Sequence, residues 1–175
     1  MKNANPNITR VRKISDHVYW MPPARPDRPS LCAVVGKEKV VMLDGGASSA
    51  HARQFLDQLS SLGIPYPTQV VFTHWHWDHV FGAAEVGAQI LAHGLTAGKL
   101  HELAQRDWSD AGLEQQVAIG LETPEGAENI KAELPAPREV NVAQADVMFQ
   151  DSMNLVLRRL GDQSIPRSKD QSPTT

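Results

Sequence analysis

Between positions 73 and 79 the sequence reads Thr73-His74-Trp75-His76-Trp77-Asp78-His79, and this run limits the possible folds more than any other stretch. It follows the apolar, β-prone segment Val70-Val71-Phe72 and precedes a short helical pattern from Phe81 to Val86. In a strand, side chains alternate faces, so His74 and His76 point one way and Trp75 the other. Two imidazoles on one side of a strand end can share a metal ion. The chain must then turn, which brings Asp78 and His79 back beside them, where a carboxylate and a third imidazole suit a second ion. Nitrogen and oxygen donors of this hardness favour zinc, with iron or manganese also compatible. Isolated histidines are usually surface or core residues, but three with an aspartate in six residues do not fit that description.

The rest of the chain alternates strand-like and helix-like segments. His17 to Met21 is β-prone and ends at Pro22-Pro23, and Ala24 to Ser30 reads as a proline-rich, charged loop. Leu31 to Val35 and Lys39 to Leu43 predict two strands joined by a turn around Gly36. Asp44-Gly45-Gly46 breaks the second strand. Ser48 or Ser49 then caps a helix with Phe55, Leu56, Leu59 and Leu62 at helical spacing, which Gly63 stops. Gln69 to Thr73 and Gln89 to Ala92 are two more strands. Helices are expected over Ala97 to Arg106, about Glu114 to Leu121, and near Ala127 to Glu133. Val140 to Phe149 and Met153 to Leu160 predict a last pair of strands. The mixture is an α/β layered fold. From Gly161 the chain is polar and proline-containing, and disorder is expected there.

The pattern His74-x-His76-x-Asp78-His79 resembles the signature of the metallo-β-lactamase superfamily. Val40-Val41-Met42-Leu43-Asp44-Gly45-Gly46 is similar to that family's earlier motif, an apolar strand ending in Asp-Gly-Gly, and the order of elements agrees through Gly82. The likeness runs from Ile14 to Asp162, most securely from Leu31 to His93, with 163–175 as a disordered or aberrant tail. It implies a four-layer αββα sandwich and a site for one or two metal ions, zinc by preference. Metal-bound hydroxide would there attack an ester, thioester, lactam or phosphodiester of a small-molecule substrate. On this likeness His74, His76, Asp78 and His79 are the ligands, Asp78 is also the candidate catalytic residue, and Asp44 supports the ligands by hydrogen bonds. A turn former before Gly45 is an equally good reading of Asp44. Trp75 and Trp77 are expected to pack structurally, and His93 to sit at a strand end. His17, His51 and His101, which lack a partner pattern, are read as surface residues.

The same likeness implies a further His, a bridging Asp and a last His in the later half. The sequence has no histidine after His101, so each metal position is expected to lack a protein ligand and the second half of the fold to be incomplete. Three other outcomes follow: an inactive fragment with a partial metal site, a subunit of a split enzyme, or a metal-dependent oxygenase on the same fold. The strands Leu31 to Val35, Lys39 to Leu43 and Val70 to Phe72 are continuous apolar runs apart from Lys39, as suits burial on both faces. An uncovered sheet face would then drive self-association.

Composition excludes more than it assigns. Seventeen Lys and Arg against twenty Asp and Glu leave a net charge of -3, and no basic run is interleaved with aromatics, so no nucleic-acid partner is expected. The one cysteine, Cys32, lies in an apolar run, reads as a small buried residue and permits no internal disulfide. A polar N-terminus and the lack of a long apolar stretch point to a cytoplasmic protein without a membrane partner.

Overall fold

The structure is a computed structural model, described here over residues 9–157. Seven strands form one sheet in sequence order: β1 (Arg12–Lys13), β2 (Val18–Met21), β3 (Leu31–Val35), β4 (Val40–Leu43), β5 (Gln69–Val71), β6 (Gln89–His93) and β7 (Val147–Phe149). The first four are antiparallel and joined by short turns, whereas β4 to β7 run parallel. Parallel neighbours need crossovers, and helices supply each one. These are α1 (Ser49–Ser61), then α2 (Trp77–Val80) with α3 (Ala83–Val86), then α4 (Gly94–Ala104), α5 (Asp110–Ala118) and α6 (Pro124–Glu133).

The helices all pack on one face of the sheet. Register places Met21, Leu31, Ala33, Met42, Val70 and Ala92 on that face, and they form a single buried cluster with Phe55, Leu59, Leu100, Leu113 and Ile130. The opposite face carries Trp20, Cys32, Val34, Leu43, Val71 and Phe149, all half-buried, around the more shielded Val41 and Leu91. Apolar residues on both faces account for the unbroken hydrophobic runs in β3 and β4. After β7 the described chain returns to the β3–β4 turn, where Leu157 abuts Gly36.

Capping decides where the helices begin. The Ser48 hydroxyl accepts the His51 N–H at the start of α1, and Ser109 and Thr123 do the same for α5 and α6. The second and third of these caps, with Pro124 at the first position of α6, start both helices ahead of the apolar positions that predict them. The strand expected over Val140 to Phe149 is confined to its last three residues, because Asp146 takes over the pairing. Its side chain accepts the Ile90 N–H at 2.7 Å and its own N–H donates to the Ile90 carbonyl. The expected strand from Met153 has no ladder through Leu157, while 158–160 and the tail 163–175 lie outside the described residues. Among the described residues no helix is long and apolar enough to cross a membrane.

Two buried polar groups tie the helices to the sheet's upper end. Arg28, on the loop before β3, donates from Nε to both oxygens of Glu133 at 3.0 and 2.8 Å and from Nη1 to Gln54, and the Ser48 hydroxyl donates to the same Glu133. His51, expected at the surface, is instead 1% exposed, because α1 lays its ring against Gly46 and Ala47. Its Nδ1 accepts the Ala47 N–H at 3.2 Å. Burial above all, then the nearby charges of Arg28 and His79, pushes the His51 pKa down to about 3. The unfolded chain therefore binds a proton here that the folded chain refuses. Stability from this group is complete above about pH 6.5 and falls as the pH drops toward 3, by up to roughly 4–5 kcal/mol. Urea titrations across this range should show that slope. In His51→Leu the slope should be shallower, although the variant starts about 1–3 kcal/mol lower because the Ala47 N–H loses its acceptor.

Candidate metal centre

Sheet order sets where chemistry can gather. The parallel strands β4, β5 and β6 all end at the same edge, so the residues that follow them meet there. Asp44 follows β4, the run Thr73 to His79 follows β5, and His93 closes β6.

Asp44 adopts φ 61, the left-handed region, in which aspartate is among the better-tolerated side chains. The conformation ends β4 and turns the carboxylate under the next loop, where it is 4% exposed. There it accepts the Thr73 N–H at 2.7 Å, the Thr73 hydroxyl at 2.8 Å and His79 Nδ1 at 2.8 Å. The Gly45 and Gly46 N–H groups both donate to the His79 carbonyl, at 2.7 and 3.1 Å. A Cβ on Gly82 would lie 2.3 Å from the Gly45 carbonyl oxygen and 2.5 Å from that of Ser48, so only glycine permits this approach.

The cluster itself is a loop and a helix start rather than a strand end. β5 stops at Val71, and His76 caps α2 with φ -62 and ψ 147. Extended backbone reaches His76 beyond the ladder, and the turn into α2 then brings Asp78 and His79 alongside. The rings of His74 and His79 lie 4.1 Å apart between centroids and those of His74 and His76 4.7 Å apart. His79 Nε2 is 3.3 Å from Asp78 Oδ2. The four residues expected to act together do converge, and Asp44 is beneath them.

Hydrogen bonds fix which nitrogens face the shared space. A carboxylate only accepts, so the Thr73 hydroxyl hydrogen is committed to Asp44, and His74 Nδ1–H donates to Thr73 Oγ1 at 3.0 Å. His79 Nδ1–H donates to Asp44 directly. A neutral His74 ring thus keeps its lone pair at Nε2, while His79 Nε2 faces the Asp78 carboxylate. Burial disfavours the charged ring of His79, but the Asp44 hydrogen bond and the charges of Asp44, Asp78 and Asp27 outweigh it and raise its pKa. His74 meets the same carboxylate only through a neutral hydroxyl, and burial with the His79 and His76 charges lowers its pKa. Burial foremost, with a contribution from Asp27, raises the Asp78 carboxyl.

A cleft of about 540 Å³ opens beside the cluster, walled by Trp75, His76, Asp78, Arg106, Trp108 and Asp27. Trp75 is half-buried with the Lys99 ammonium 5.7 Å from its ring centre, whereas Trp77 is buried and packs against Phe81. His93 caps α4 by accepting the Leu95 N–H, and His17 and His101 are exposed as expected. Sequence reading missed Asp27 and Thr73. The hydroxyl immediately before His74 was a usable signal for Thr73, while nothing on the proline-rich loop marks Asp27.

The donor types fit a divalent ion: two imidazoles backed through Nδ1, a third imidazole and a carboxylate. Among the described residues, however, no three His, Cys, Asp or Glu groups stand in the arrangement of a formed metal shell. The set is therefore a partial one. A mixed α/β sheet thus carries a His-x-His-x-Asp-His loop at the carboxyl ends of its parallel strands. Residues 25–156 match the metallo-beta-lactamase superfamily, and the chain belongs to that family. No curated protein matches the chain.

Solved structures give the same fold. A variant metallo-beta-lactamase from Cronobacter sakazakii is similar over 85% of this chain and 50% of its own, at 17% identity and a TM-score of 0.58. A subclass B3 metallo-beta-lactamase of Bradyrhizobium japonicum aligns over 87% of this chain and 50% of its own, at 16% identity and a TM-score of 0.57. One from Legionella gormanii gives 88%, 51%, 12% and 0.57 in the same order. The chain spans about half the length of these structures.

If Asp44 holds the site as these contacts require, Asp44→Ala removes three acceptor contacts and places alanine at a positive φ. It should lower stability by roughly 2–4 kcal/mol in urea unfolding. Asp44→Asn, which tolerates the conformation and retains one acceptor oxygen, should lose clearly less.

Proposed function

We propose that this chain carries the metal-binding loop of a metal-dependent hydrolase. His74 and His76 hold one divalent ion, and Asp78 and His79 hold or share a second. The observation that carries the reading is the backing of His74 and His79 at Nδ1, in two rings whose centroids lie 4.1 Å apart. Metal-ligating histidines characteristically have this arrangement, since the backing bond fixes the tautomer and strengthens the donor. Zinc suits the set best, with iron or manganese as alternatives. A bound divalent ion lowers the pKa of a water molecule toward neutrality and polarises the bond under attack.

The chain's own groups supply the rest. Asp78, raised by burial yet beside His79, is the carboxylate placed to take a proton at Oδ2 as water is activated. Trp75 and Trp108 offer apolar walls, and the cleft is of small-molecule size. The substrate is then a small ester, thioester, lactam or phosphodiester. A second reading, a metal-binding chain without turnover, is favoured by the absence of a formed three-donor shell among the described residues.

Metal analysis of the purified chain should find weak zinc binding, and His74→Ala with His76→Ala should abolish it. Unchanged metal content in the double variant would refute the ligand assignment. Generic ester and lactam assays then separate the two readings. Turnover that disappears in His76→Ala establishes a hydrolase, and metal uptake without turnover establishes the binding chain.

A further inference from the structure

Asp44 lies beneath both pairs of ligands, but it touches them differently. It meets His79 directly and His74 only through the side chain between them, Thr73. We propose that Thr73 is a positioning residue: its hydroxyl links His74 to the carboxylate that holds His79, so that Asp44 sets the presented nitrogen at both metal positions. This rests on the reading of His74 and His79 as ligands.

The geometry leaves the hydroxyl little choice. Thr73 is held at two points by one carboxylate, its N–H at 2.7 Å from Oδ1 and its Oγ1 at 2.8 Å from Oδ2. With the hydroxyl hydrogen directed to Asp44, the oxygen lone pair turned toward His74 can only accept, and the ring must offer Nδ1–H. A Thr73 hydroxyl that rotated to donate to His74 would leave two oxygen acceptors 2.8 Å apart with no hydrogen between them. The Thr73 N–H contact keeps the backbone from drifting, so the hydroxyl is aimed rather than merely near.

The residue type matters in a specific way. Serine supplies the same oxygen, whereas valine fills the same volume without it. Thr73→Val therefore frees the His74 ring to exchange tautomers while His79 keeps its direct bond to Asp44. Asp44→Asn disturbs both rings, because the amide can donate where the carboxylate only accepted.

The test begins on metal-free protein at a pH where the rings are neutral, with ¹⁵N correlation spectra of the imidazoles reporting each tautomer. The wild type should show His74 and His79 both protonated at Nδ1. Thr73→Val should move His74 toward a mixture and leave His79 unchanged, and Thr73→Ser should restore the wild-type pattern. A His74 tautomer indifferent to Thr73→Val overturns the proposal.

Cobalt titration of the same proteins then reads ligand strength. Thr73→Val should weaken uptake at the His74–His76 position by roughly 10–100-fold, the usual effect of removing such a support, with recovery in Thr73→Ser. Affinity unchanged in Thr73→Val despite a shifted tautomer also overturns it. Should the wild type take up no cobalt at all, the ligand reading fails and the positioning role with it, while the tautomer spectra still decide whether the hydroxyl link exists.

Discussion

Everything at the carboxyl edge of the sheet depends on one buried carboxylate held in an unusual backbone conformation. Asp44 turns out of β4 at φ 61 and accepts from Thr73 and His79. Those bonds, with the Asp44 N–H donated to the Val71 carbonyl at 2.9 Å, set the depth of the loop after β5 relative to β4. The two glycines after Asp44 complete the hold by donating to the His79 carbonyl. A strand end, a turn and a helix start are thus joined by backbone and carboxylate contacts before any ligand side chain is considered.

That arrangement also explains a contrast between neighbouring rings. The Asp44 charge favours protonation of both rings, but at His74 burial and then the His79 and His76 charges outweigh it, whereas at His79 the direct Asp44 hydrogen bond and the surrounding carboxylates prevail over burial. Proximity to a carboxylate is therefore insufficient to predict the state of a histidine. Burial and the neighbouring charges weigh in as well.

Much of this was legible in the sequence, and the reason is locality. The His-x-His-x-Asp-His run spans six residues, and the Asp-Gly-Gly turn announces itself after an apolar strand, so both could be placed without knowing the sheet order. The strands β3 and β4 were equally plain, since short β-branched apolar runs bounded by turn residues suit strands even where they show no alternation. Helix starts were less legible because apolar spacing cannot see the hydroxyl caps at Ser109 and Thr123. Least legible were features made by distant partners. Arg28 and Glu133 are 105 positions apart, and the burial of His51 depends on how α1 meets Gly46. The cluster lies just beyond the paired part of β5, with His76 still in extended backbone at the start of α2.

The near-contact of Gly82 with the carbonyls of Gly45 and Ser48 has a thermodynamic consequence. Loops that carry metal ligands often acquire their shape only when the ion arrives, and part of the binding free energy is then spent on ordering the chain. Here the turn after β4 and the start of α3 are already locked at backbone level, with no side chain between them. An ion entering this edge would meet a frame that is already set. Its capture would be accompanied by little change in heat capacity, in the manner of docking to a rigid surface rather than of folding around a guest.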